Sequence, residues 1–100
     1  MIFSLHPEAE VELFGAIDWY EAQEPGLGRA FAVEVAAGLL RIVEFPEAWP
    51  ILDGDIRRCL LNRFPFGLLY TIDQDTALIL AVMHLHREPG YWRSRRHEAG

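Results

Sequence analysis

The sequence predicts an α+β fold in the order β-α-α-β-β-β, a helical hairpin laid on one face of an antiparallel sheet. Three observations lead there. Two stretches of helix-period apolar residues are separated only by the breaker cluster Glu24-Pro25-Gly26-Leu27-Gly28. From Ile56 onward the pattern changes to short apolar runs cut by turn residues, and the chain opens on a brief apolar run stopped by His6-Pro7. One hundred residues at 51% hydrophobic content supply one small core, so a single domain over residues 1–100 is expected.

Each element follows from its residues. Ile2, Phe3 and Leu5 make a short strand. Pro7 suits a first helical position, because its missing N–H would be unpaired there in any case, and Glu8, Glu10 and Glu12 favour the positive end of the helix dipole. Leu13, Ala16, Ile17 and Tyr20 then recur at three- and four-residue spacing, so helix one runs from Pro7 to Gln23. Phe31, Val35, Leu39 and Ile42 form the stripe of helix two, Leu27 to Glu44; so short a connection makes the helices antiparallel neighbours. Two prolines and an Asp-Gly make residues 45–55 a loop. Three strands in a meander follow, from Arg57 to Phe64, Phe66 to Ile72 and Thr76 to Met83, joined by turns at Pro65-Phe66-Gly67 and Asp73-Gln74-Asp75. The tail from Pro89 to Arg96 is read as a short helical segment.

Charge is distributed unevenly. The chain has no lysine, and nine arginines stand against fifteen acidic residues for a net charge of −6. Residues 1–50 carry nine carboxylates against Arg29 and Arg41, whereas residues 51–100 carry six against seven arginines. A surface of this sign is no general magnet for phosphates, but a confined anion site late in the chain is compatible with it. The single Cys59 excludes an internal disulfide and reads as a small buried thiol. No signal peptide, lipidation motif or membrane-length apolar run is present, so a cytoplasmic location and no membrane association are expected. His84 and His86 lack a third ligand at convincing spacing, and no metal or cofactor is expected.

The polar end of the last strand draws attention. An apolar run, Thr76 to Met83, passes directly into His84, His86, Arg87, Tyr91, Trp92, Arg93, Arg95 and Arg96. A buried strand is a rigid support for polar groups, and guanidinium with phenol suits phosphate or carboxylate recognition. The same residues also admit a plainer reading, in which the imidazoles are satisfied by backbone or Glu88 and the aromatics close the ends of a small core.

An ordered set of motifs carries a family resemblance. An acidic first helix ends in Ile17-Asp18-Trp19-Tyr20-Glu21; Pro25-Gly26-Leu27-Gly28 and Phe31 follow; then come Phe45-Pro46, Trp49-Pro50, Arg57-Arg58, Phe64-Pro65-Phe66 with Tyr70, and His84 with Arg87, Pro89, Tyr91 and Trp92. Over nearly its whole length the chain resembles the RelE/ParE superfamily, the small toxins of bacterial type II toxin–antitoxin modules, in particular the ParE-like sequences labelled plasmid stabilisation proteins. Phe66 stands where a Tyr is more usual.

That resemblance implies a growth-inhibiting protein neutralised by a cognate antitoxin in a hetero-oligomer. Members either poison DNA gyrase or cut mRNA on the ribosome. For the nuclease branch, motif position would assign Arg58, Arg63, Arg87 and Tyr91 to the phosphate and His84 or His86 to the proton. The absence of lysine and the acidic total disfavour docking into an RNA-lined site, so a non-enzymatic gyrase binder is the preferred expectation. A non-toxic antitoxin-binding scaffold is the third reading. For the antitoxin, an amphipathic helix between hairpin and sheet would answer Arg57, Arg58, Arg87 and Trp92, and an exposed sheet edge such as Met1 to Leu5 offers strand addition as a second mode.

Overall fold

Residues 1–96 are described in the computed structural model of the chain. They form β1 (Ile2–Leu5), α1 (Pro7–Gln23), α2 (Leu27–Glu44), β2 (Ile51–Asp53), β3 (Ile56–Leu60), β4 (Phe66–Asp73) and β5 (Thr76–His84). The strands make one sheet in the order β1-β5-β4-β3-β2, antiparallel except for the parallel β1–β5 pair. The expected α+β class and both helices are found. No helix among the described residues is long and apolar enough to cross a membrane.

The helical hairpin is fastened by local chemistry. His6 precedes Pro7, and its Nδ1 accepts the Glu8 N–H at 3.0 Å, capping α1. At the other end Glu21 accepts from Gly26 N–H (2.9 Å) and Gly28 N–H (3.0 Å), placing a carboxylate at the positive end of α2. Gly26 sits at φ 90°, and a Cβ on Gly28 would lie 2.6 Å from the Ile17 carbonyl oxygen. The Pro-Gly-Leu-Gly turn is therefore a conformational requirement followed by a close-approach requirement.

Three boundaries differ from expectation. The loop read over residues 45–55 contains the short edge strand β2, which pairs with β3 across Gly54 at φ 59°. The first meander strand ends at Leu60, not Phe64, because Leu61 and Phe64 both turn under the helices into the core; β4 opens at Phe66, where the second strand is expected to begin, so the connection lies before it. Among the described residues the tail is a run of turns as far as Ser94, with helical residues at Arg95 and Arg96, since Gly90 at φ 85° interrupts any helix begun at Pro89.

The sheet is covered on both faces. Against the helices lie Phe31, Val35, Ile42, Leu68, Tyr70 and Ile79. On the opposite face Ile56, Leu69, Leu80 and Met83 are roofed by Trp92 from the C-terminal segment. One irregularity in β5 decides which side chain faces where. Leu69 pairs with Ala81 but Tyr70 pairs with Ile79, so Leu80 is an extra residue, a β-bulge that shifts the alternation of everything after it. As a result Val82 and His84 point toward the helices, and Ala81 and Met83 away from them.

Candidate functional site

Where β1 gives way to α1, β5 loses its strand neighbour on that edge while staying paired with β4 on the other. The last ladder bond is from His6 N–H to the Ile79 carbonyl. Beyond it, side chains take over: Glu12 of α1 accepts the Val82 N–H at 3.0 Å, and Arg95 donates to the Leu80 carbonyl at 3.0 Å. The two side chains also grip each other through both oxygens, at 2.9 and 3.1 Å. This fork-to-fork pair satisfies an otherwise bare strand edge and clamps the C-terminal segment to α1. Burial works against the Arg95 charge, but Glu12 outweighs it and the guanidinium is held above its usual pKa.

Tyr91 sits between two cations, its ring 3.9 Å from the Arg87 guanidinium and 4.9 Å from that of Arg95. Its hydroxyl is buried without a well-aligned hydrogen-bond partner among the described residues. Burial, with the neighbouring Glu12 carboxylate, pushes the phenol's pKa well up against the opposing pull of the two arginines. Arg87 is half exposed and lies 3.6 Å from Glu12, so its outer side remains open to solvent.

Beside this clamp a groove of about 300 Å³ opens on the face away from the helices, lined by Arg58, Arg87, Arg93, Met83, Leu85 and Trp92. The stem of Arg58 lies over Gly67, and its guanidinium has no acidic partner among the described residues. Arg93 is tied to Asp53 at 2.7 Å. The groove thus combines an apolar floor with two cations, Arg58 and Arg87, able to take an acidic or phosphate-bearing ligand.

The structure brings together only part of the predicted set. Arg58, Arg87, Tyr91 and Trp92 gather on this face. Arg63 lies in the β3–β4 connection, where its N–H donates to Glu34 at 2.6 Å and its side chain rests on Phe64. Arg57 points to the opposite face, donating to the Glu47 and Trp49 carbonyls at 3.2 and 2.7 Å; it fixes the loop before β2 and is not turned to the groove. Trp92 is 2% exposed and forms the groove's floor, a core residue before it is a contact residue. Tyr70 is fully buried, donates to the Pro46 carbonyl at 2.6 Å, and has its pKa pushed up to about 12 by burial.

His84 also stands apart. The bulge in β5 sends it to the helix side, into an apolar pocket of about 480 Å³ with Ala16, Trp19, Tyr20, Pro65 and Phe66. Its ring meets Phe66 edge-on at 5.1 Å, and its Nδ1 accepts the His86 N–H at 3.1 Å, so the neutral ring carries its proton on Nε2. The sequence could not place it, because one inserted residue reverses the face. Glu12 and Arg95 were the functional-scale interaction that sequence reading missed; the only signal is an acidic residue in the first helix and an arginine 83 positions later.

Comparisons with known proteins bear on the fold and the family. Among curated proteins none matches. A solved structure, "Chromosomal ParDE TA system from P. aeruginosa", superposes with a TM-score of 0.76 at 17% identity, covering 86% of this chain and 97% of that one, which establishes a shared fold. The family model described as "ParE toxin of type II toxin-antitoxin system, parDE" matches residues 3–89. The chain belongs to the ParE toxin family of type II toxin–antitoxin systems.

Proposed function

We propose that this chain is the toxin of a toxin–antitoxin pair that inhibits growth by binding DNA gyrase, and that its antitoxin silences it by laying an acidic, amphipathic segment across the groove of Arg58, Arg87 and Trp92. The observation that carries the reading is the separation of cations from proton carriers. Arg58 and Arg87 share the open face, whereas His84 lies on the helix side of the sheet and Arg63 outside it. Cleavage of RNA by 2′-hydroxyl attack needs a base, an acid and cations around one phosphate. Here Tyr91 keeps its proton at neutral pH and its hydroxyl is buried, the Asp53 carboxylate is tied to Arg93, and no imidazole lines the groove among the described residues, so it offers charge and apolar surface rather than a proton carrier.

A surface of that kind suits protein recognition, where arginines and a desolvated aromatic floor act as anchors without a positive field over the whole molecule. The target places the working protein in the cytoplasm, and a pair of this type would serve plasmid stabilisation. The test adds the purified chain to gyrase and follows DNA supercoiling, with mRNA 5′ ends mapped in parallel in cells after induction. Loss of supercoiling, relieved by Arg58→Glu, is expected. Unchanged gyrase turnover at saturating protein rejects the reading, and codon-linked mRNA cuts would replace it with the nuclease.

A further inference from the structure

The outward face of α2 carries a pattern that the fold does not use. Arg29, Val33, Ala36, Leu40 and Glu44 lie on one side of the helix at spacings of four, three, four and four, all exposed; Val33 and Leu40 are 58% and 65% accessible. Alternating threes and fours are the spacing of a helix-pairing seam rather than of a solvated face. Neither Arg29 nor Glu44 has an ion pair or hydrogen-bonding side-chain partner among the described residues.

Both charges also oppose the helix that carries them. Arg29 stands in the first turn, where a cation meets the positive end of the dipole, and Glu44 is the last residue, where an anion meets the negative end. Local helix stability would favour the reverse arrangement, and nothing among the described residues accounts for it.

The pattern is self-complementary. Antiparallel pairing about a point between Ala36 and Ala37 sets Arg29 opposite Glu44, Val33 opposite Leu40 and Ala36 opposite Ala37. A parallel arrangement would instead set like charges together. Two small residues at the crossing let the backbones approach closely, while the apolar pairs and then the ion pairs flank it over roughly 22 Å of helix, at 1.5 Å per residue. A seam in which each position meets its complement under a twofold is what an isologous interface requires.

We infer that α2 is a homodimer surface, its occupant the α2 of a second copy of this chain packed antiparallel about Ala36 and Ala37. A single helix pair lies at the small end of protein interfaces, so a dissociation constant on the order of 10–100 μM is expected. The sheet edges and the arginine groove remain open in such a dimer.

Sedimentation equilibrium on the purified full chain tests this across a range of concentrations at low salt, with Arg29→Glu, Glu44→Arg and the double reversal. Each single reversal agrees with the helix dipole and so leaves the fold intact, which circular dichroism verifies. Each is expected to weaken association about tenfold, since two symmetric attractions become repulsions. The double variant is expected to restore the dimer, and an equimolar mixture of the two single variants to form a mixed one. A chain that stays monomeric up to about ten times that dissociation constant, a dimer indifferent to the single reversals, or a double variant that fails to recover overturns the inference.

Discussion

Replacing Glu12 by Gln tests the central structural claim, that one carboxylate ties the C-terminal segment to α1 and β5. Gln can still accept the Val82 N–H, so the strand-edge bond at 3.0 Å survives in form. What is lost is the charge facing Arg95, whose side chain is only 10% exposed, across a pair whose acid is 13% exposed. Removing one partner of a buried pair leaves the other desolvated and uncompensated, at a cost of about 3 kcal/mol. The Arg87 contact, at 3.6 Å with a half-exposed partner, adds little to this. Urea unfolding followed by circular dichroism measures the loss, and for 100 residues each kcal/mol lowers the midpoint temperature by about 4–8 °C. A cycle with Arg95→Met should return a coupling of about 2 kcal/mol, because the double variant no longer strands a charge. A loss below about 1 kcal/mol for Glu12→Gln, or a coupling under about 0.5 kcal/mol, would refute the clamp.

Two further outcomes concern the scaffold. Gly28→Ala drives a methyl group to 2.6 Å from the Ile17 carbonyl and 2.9 Å from the Glu21 Cβ, and is expected to cost about 1–3 kcal/mol by separating the helices; equal unfolding midpoints for variant and parent would sink the close-approach argument. All three tyrosines are held above their ordinary pKa, each by burial first, and that of Tyr70 is pushed to about 12. The folded state therefore keeps phenolic protons that the unfolded chain releases near pH 10, so this contribution is complete below about 10 and is lost as pH rises toward 12. Ultraviolet titration of tyrosinate should show no tyrosine ionising at its ordinary pKa while the protein is folded.

Much of the fold was legible because it depends on local regularities. Pro7 and the breaker cluster bounded both helices, and the buried stripe Phe31, Val35, Leu39 and Ile42 followed from helical spacing alone. The strands were legible as apolar runs, but their ends were not: Leu61 and Phe64 continue an apolar pattern while leaving the ladder, and Ile51-Leu52-Asp53 is too short to stand out between a proline and an Asp-Gly.

The candidate site shows a sharper division. Sequence alone determined that arginines concentrate after β5 and that the chain carries the ParE-family motifs, since composition and motif order survive without coordinates. Which of those groups meet was decided only in the tertiary structure. An extra residue at Leu80 turned His84 away from Arg58 and Arg87, and a carboxylate 83 positions from Arg95 fixed where the tail lies. Alternation along a strand is local until a bulge resets it, and a contact between distant residues has no local signature, because it arises from chain closure and not from periodicity.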